Sequence, residues 1–147
     1  MEQYCIRQIR KEDYDKQYLN LLQQLTTIDP DKITKDEFNS FIDNLNNNHL
    51  IFVIEHQETH EIIGSATLLV EHKLIHNMGI VCHIEDVVID NNFRGENLGK
   101  RLINELIRIS KEINCYKVIL DCARHNVQFY EKCGFKENSI EMSLYVN

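Results

Sequence analysis

The residues with the clearest chemical potential lie in one run, Arg94-Gly95-Glu96-Asn97-Leu98-Gly99-Lys100, followed by Arg101. Val87-Val88-Ile89 precede it and an amphipathic pattern follows, so the run joins a strand to a helix. Such a junction offers unpaired backbone N–H groups and the positive end of a helix dipole to an anion. Two glycines let the backbone come close, and Arg94, Lys100 and Arg101 gather positive charge in a chain whose net charge is −7. Two common phosphate sites are excluded by spacing. A Walker P-loop needs four residues between its first glycine and Gly-Lys, then Ser or Thr. Here Gly95 and Gly99 enclose three, and Arg101 follows Lys100. The dinucleotide pattern G-x-G-x-x-G is also missing. A pyrophosphate-binding turn of another kind remains, against the plain reading of a helix start.

A second set of candidates is acidic. Asp121 lies at the end of one apolar run, and Glu85-Asp86 interrupt another. Carboxylates inside apolar strands are costly unless paired or hydrogen-bonded, which marks them as site candidates. Strand alternation puts Glu85 and Asp86 on opposite faces unless a bulge intervenes. Tyr130 sits beside Phe129 in a short helical pattern, where the ordinary expectation is a packed core tyrosine.

Metal and thiol chemistry are weakly signalled. The pairs His56/His60 and His72/His76 have four-residue spacing, but each straddles a turn between strands and neither belongs to H-E-x-x-H. They read as turn or rim histidines, and no metal site is expected. The five cysteines include no C-x-x-C pair. They are expected to be reduced, with Cys82, Cys115, Cys122 and Cys133 acting as buried small hydrophobes.

The elements that position these groups follow from periodicity. Tyr4 to Ile9 alternates as a strand. Tyr14, Tyr18, Leu21, Leu22 and Leu25 form one helical stripe, broken at Thr26–Pro30. Thr34 and Glu37 make a capping box before a helix with Phe38, Phe41, Ile42 and Leu45 inward. Strands follow at Leu50–Glu55, Glu61–Val70 and Ile80–Ile89, an antiparallel meander with a turn at 56–60 and a connection at 71–79. Leu98, Leu102, Leu106, Ile109 and Ile113 give an amphipathic helix, Lys117–Cys122 a short strand, and Asn126 to Gly134 a capped short helix. A last strand is expected from Ile140 to Val146. The order β-α-α-β-β-β-α-β-α-β predicts an α/β fold, a mixed and mostly antiparallel central sheet with helices on both faces.

Composition narrows the class. A length of 147 residues with one Pro and five Gly fits one domain over 1–147 with little linker. The 16 basic against 23 acidic residues argue against coating nucleic acid or an anionic membrane. No apolar run is long enough to span a bilayer, and Met1-Glu2-Gln3-Tyr4-Cys5 lacks a signal-peptide plan. A cytoplasmic protein is expected.

The stretch His83-Ile84-Glu85-Asp86-Val87-Val88-Ile89 through Arg94-Gly95-Glu96-Asn97-Leu98-Gly99 resembles motif A of the GCN5-related N-acetyltransferases, the GNAT superfamily. Asn114–Cys122 and Asn126–Phe135 resemble the motif that follows it. Leu25-Thr26-Thr27, Lys73-Leu74-Ile75-His76 and Glu141-Met142 bring the chain closer to the branch that acetylates an amino-sugar phosphate. Asn97 departs from the pattern, standing where many members have glycine. Asn tolerates left-handed geometry best among other residues, and its N–H is still available. The tail Ser143–Asn147 also lacks the cation that some members place there.

The resemblance implies acetyl-CoA as co-substrate, glucosamine 6-phosphate as acceptor, direct transfer and a homodimer. Val87, Val88 and Ile89 would pair with the pantetheine arm, and Arg94, Gly95, Glu96, Asn97, Leu98 and Gly99 would hold the pyrophosphate. Asn126, Phe129 and Tyr130 would complete the coenzyme site. Tyr130 would stabilise the leaving thiolate, Asp121 would accept a hydrogen bond from the amine, and Glu85 would act beside it. The sugar phosphate would meet Thr26, Lys73, Leu74, Ile75, His76, Glu85, Asp86, Val87, Tyr116, Lys117 and Asp121. Asp121 and an ordered water stay open as the base. The rival expectations are another amine acceptor on the same fold, or a non-catalytic acyl-CoA-binding module.

Overall fold

The computed structural model describes residues 2–147, and Met1 lies outside the described residues. Alternating, β-branched segments form a five-stranded sheet in the order β1-β2-β3-β4-β5. The strands are β1 Tyr4–Gln8, β2 His49–His56, β3 Ile62–His72, β4 Ile80–Ile89 and β5 Lys117–Ile119. The first four pair antiparallel with their sequence neighbours, while β5 runs parallel to β4. The expected mixed, mostly antiparallel sheet is therefore present.

Each face of the sheet is covered. The helices are α1 Tyr18–Leu22, α2 Lys35–Asp43, the single turn α3 Ile75–Met78, α4 Leu98–Glu112 and α5 Val127–Lys132. On one face Leu98, Leu102, Ile103 and Leu106 of α4 pack on Ile54, Ile63, Leu68 and Ile84. Each such leucine, fully buried, contributes about 1.5–3 kcal/mol relative to exposure. On the other face Tyr18, Leu19 and Leu21 of α1 and Phe38 of α2 cover Ile51, Val53 and Ile62. The capping box of α2 forms as its sequence predicts. Thr34 Oγ1 accepts from the Glu37 N–H at 3.1 Å, and Glu37 Oε2 accepts from the Thr34 N–H at 2.9 Å.

Four expectations change. The first helical stripe does not make one helix, because Gln17 takes a left-handed φ of 66° between a 3-10 turn at Lys11–Asp15 and α1. A buried network displaces the continuous helix there. Arg7 donates to both oxygens of fully buried Asp13 at 2.8 and 2.9 Å, and Lys16 reaches Glu55 at 2.6 Å. Asn126 ends a 3-10 turn and makes no side-chain cap for α5. His56 is a turn histidine as expected, but buried and not on a rim. Its Nδ1 accepts the N–H groups of Glu58 and Thr59, both at 3.3 Å, closing the β2–β3 turn. Of the four cysteines expected inside, only Cys82 is buried, Cys115 and Cys133 are half-buried, and Cys122 is exposed.

The last expected strand is a further correction. Residues 136–147 lie in no helix or sheet, and Ile140, Met142 and Leu144 are 89%, 92% and 86% exposed. A strand exists by pairing, and the tail meets no partner strand among the described residues. Among the described residues, no helix is long and apolar enough to cross a membrane.

Candidate active site

An irregularity in β4 shapes the site. Ser65 of β3 faces Val88, and Thr67 faces Glu85, so Ala66 alone opposes both Asp86 and Val87. This is a β-bulge, and Asp86 adopts φ 52° within it. The extra residue breaks the alternation that would send Glu85 and Asp86 to opposite faces. Both instead line one cavity of about 640 Å3 between the sheet and α1–α2, with Thr26, Tyr18, Ser65 and Thr67.

Before the bulge β4 has already lost its other neighbour. Pairing with β5 covers only Val81, Cys82 and His83. Among the described residues the rest of that edge of β4 meets no strand, and it borders a second cavity of about 770 Å3. Of the residues expected to hold a coenzyme, Val87, Val88, Ile89, Arg94, Gly95, Asn97, Leu98, Gly99, Asn126, Phe129 and Tyr130 line this cavity. Glu96 does not, because its carboxylate turns to the hydroxyl of Tyr4. Gln24, Phe93, His125 and Lys132 line it without having been singled out, as do Leu25 of the first helical stripe and Lys100 of the basic cluster, neither of which was assigned to the coenzyme. Leu25 borders both cavities, so they adjoin.

The turn before α4 has the geometry of an anion seat. Gly95 takes φ +89° and a Cβ there would meet nothing within 4 Å, so the left-handed backbone, not crowding, selects glycine. Asn97 takes φ 66° as N-cap, with no side-chain cap bond. The first intrahelical bond recorded runs from the Arg101 N–H to the Asn97 carbonyl at 3.1 Å. The N–H groups of Leu98, Gly99 and Lys100 precede it and have no intrahelical acceptor. At Gly99 a Cβ would stand 3.1 Å from Phe129 Cζ and 3.6 Å from Ile89 Cγ1, so glycine lets α5 close on the helix start.

Tyr130 is fixed by the end of α5. The Gly134 N–H donates to the Glu131 carbonyl at 3.0 Å and the Phe135 N–H to the Tyr130 carbonyl at 3.1 Å. Gly134 has φ +101°, completing a Schellman cap. The Tyr130 ring packs edge-on to Phe129 at 4.9 Å and Phe135 at 6.1 Å. Burial, then the neighbouring Cys122, Cys133 and Asp121, push the phenol up to about 12. Donating that proton outright to a thiolate near 8.5 would be uphill by roughly 3.5 units, about 5 kcal/mol. Such a phenol is suited to donating a hydrogen bond and not to giving up its proton.

The carboxylates form one electrostatic group. Hydrogen bonding to Glu141, then burial, raises Asp121. Burial, then the charge of Asp121, raises Glu85. A carboxyl raised by folding binds protons more tightly in the folded state. Its contribution to stability is present below the unfolded value and is lost as pH climbs through the folded value. Glu85→Gln should therefore raise the melting temperature at pH 7 and change it little below about pH 4, the ordinary glutamate range. Thermal unfolding across that pH series checks it; a gain equal at both ends would contradict it.

The remaining acceptor candidates gather elsewhere, at the end of β4 where Ile80 begins. Lys73 pairs with Glu71 at 3.1 Å, whose other oxygen meets His83 Nε2 at 2.9 Å. His76 stacks on Tyr116 at 4.1 Å, and Lys117 Nζ lies 5.8 Å from the same ring centre. Gly79 permits that packing, since a Cβ would come within 2.9 Å of Tyr116 Cδ1. Leu74 and Ile75 are exposed. Thr26, Glu85 and Asp86 thus share a cavity that Lys73, Leu74, Ile75, His76, Tyr116 and Lys117 do not line.

The sequence pattern of the acetyltransferase (GNAT) family matches residues 6–135. The chain belongs to the GNAT family. One curated relative, glucosamine 6-phosphate N-acetyltransferase 1 of Dictyostelium discoideum, is 41% identical over 138 residues, 92% of this chain and 86% of that one. Another, the Arabidopsis thaliana glucosamine 6-phosphate N-acetyltransferase, is 40% identical over 147 residues, 98% and 97% of the two chains. The crystal structure of an Arabidopsis thaliana glucosamine-6-phosphate N-acetyltransferase superposes with TM-score 0.94 at 39% identity, covering 99% of this chain and 100% of that one. GNAT acetyltransferases use acetyl-CoA. The free amides of α4, the unpaired edge of β4 and the open space above Gly95 fit such a coenzyme in this GNAT chain.

Proposed function

We propose that this chain transfers acetyl from acetyl-CoA to the amine of glucosamine 6-phosphate, giving N-acetylglucosamine 6-phosphate. The observation that carries the reading is the meeting of two cavities at the β4 bulge. One holds Glu85 and Asp86, the other Val87–Ile89, the α4 turn and Tyr130. The names and identities of the relatives support the acceptor.

The chain's residues divide the work. The amides of Leu98 to Lys100, with Arg94 and Lys100, hold the pyrophosphate. The free edge of β4 at Val87–Ile89 extends the pantetheine arm, and an N–H near Val87 polarises the thioester carbonyl. Acetyl-CoA supplies an activated acyl group with a thiol leaving group. Asp121, or a water it orders, takes the amine proton, while Glu85 and Asp86 orient the sugar. Tyr130 stabilises the departing thiolate by hydrogen bonding. Positioning converts two reactants into one encounter, so no covalent enzyme intermediate is required.

We read the chain as one cytoplasmic acetyltransferase domain that works as a homodimer. The exposed apolar tail from Ile140 to Val146 supports the dimer, since such a surface on a monomer favours a partner. A second copy is also the natural source of a residue able to bring the Lys73–Lys117 corner into an acceptor site.

Thiol release from acetyl-CoA with a panel of amines tests the reading. Glucosamine 6-phosphate should exceed glucosamine by at least about tenfold in kcat/KM, the effect of roughly 1.4 kcal/mol of phosphate recognition. Preference for unphosphorylated glucosamine or for another amine would overturn the acceptor assignment.

A further inference from the structure

We propose that Tyr4 is a positioning residue for the coenzyme loop, holding the Glu96 carboxylate away from the pyrophosphate seat. The inference rests on reading the Arg94–Lys100 turn as that seat.

Glu96 is an awkward residue in its place. It lies between Gly95 and Asn97, both of which line the coenzyme cavity. A carboxylate free to swing there would compete for the α4 amides, since a helix N-terminus attracts any anion. It would also repel a diphosphate directly. The structure shows where the charge goes instead. The Tyr4 hydroxyl donates to Glu96 Oε2 at 2.7 Å, across 92 positions of sequence.

Tyr4 is built to hold that position. It is 7% exposed, at the start of β1. Its ring meets His56 edge-on at 5.5 Å and Phe93 at 6.3 Å. His56 also packs on Phe93 at 5.6 Å, and its Nδ1 is engaged by the turn amides of Glu58 and Thr59. Phe93 lines the coenzyme cavity directly before Arg94. The aromatic cluster therefore fixes both the tyrosine and the root of the loop. A neighbouring contact turns a cation of the basic cluster away from the cavity as well. Glu2 draws the Arg101 guanidinium to 3.0 Å, and Arg101 does not line the cavity.

Calorimetric titration with coenzyme A tests the inference, with Tyr4→Phe, Glu96→Ala and the double variant beside the unaltered chain. Tyr4→Phe keeps the buried ring and removes only the donor. It should weaken coenzyme A about tenfold. In the Glu96→Ala background, which should bind at least as tightly as the unaltered chain, the same change should cost nothing further. Acetyl transfer from S-acetylpantetheine, which has the thioester and no pyrophosphate, should be the same with and without Tyr4→Phe. A purely structural role would lower it. Unchanged coenzyme A affinity in Tyr4→Phe, an additive loss in the double variant, or a loss in Glu96→Ala alone would each overturn the inference. No heat from coenzyme A with the unaltered chain would instead overturn the loop reading, and this inference with it.

Discussion

Tyr130→Phe should lower kcat about 10²-fold and leave the KM for acetyl-CoA within about twofold. The phenol is pushed up to about 12 chiefly by burial, so it stays protonated and is available as a donor at every working pH. Its ring is held by Phe129, by Phe135 and by the Schellman cap that follows it, none of which requires the hydroxyl. Removing the oxygen therefore leaves the packing intact and takes away one donor aimed at developing charge. A loss confined to kcat marks an interaction made in the transition state alone. Steady-state kinetics at saturating acceptor decide the matter. Equal losses in kcat and in coenzyme affinity would make Tyr130 a packing residue.

The second large effect is expected at Asp121. Asp121→Asn should lower kcat/KM for the amino sugar about 10²-fold, the lower range for losing a positioned base. The KM for acetyl-CoA should not move, because Asp121 does not line the coenzyme cavity. Asparagine can still donate to Glu141, so the tie to the tail survives the change. The raised carboxyl of Asp121 places the acid limb of kcat above the ordinary aspartate range, and the variant should lack that limb. A variant that keeps full activity, with the limb in place, would move the base to an ordered water.

Much of this was legible in the residues. The capping box Thr34/Glu37, the α4 stripe from Leu98 to Leu106 and the glycine ending α5 are local signals, and each formed where its pattern placed it. Such patterns depend on neighbours one or two turns away. The misses depend on distant partners. The stripe from Tyr14 to Leu25 broke because Asp13 answers Arg7 of β1, not its own helix. The tail from Ile140 read as a strand because alternation reports a capacity to pair, not the presence of a partner.

The site divides in the same way. The glycines and basic residues near position 95 marked a candidate anion seat, and the turn there has the left-handed backbone and bordering cavity that such a seat needs. Gln24 and Leu25 reach that seat only because α1 folds back across the sheet, which no local pattern reports. The turn of Glu96 toward Tyr4 was equally hidden, since it joins residues 92 positions apart. Glu85-Asp86 were recognisable as costly carboxylates, and the condition for their sharing a face was a bulge. Whether one occurred depended on the register against Ser65 and Thr67.

That register leaves a mark on how the gene can change. Because two positions of β4 stand opposite Ala66 alone, no single amino-acid exchange restores an even ladder. Only the in-frame loss or gain of one codon does so. The shared placement of Glu85 and Asp86 is thus buffered against ordinary substitution drift in the strand, and exposed to insertions and deletions that most surface segments absorb without harm.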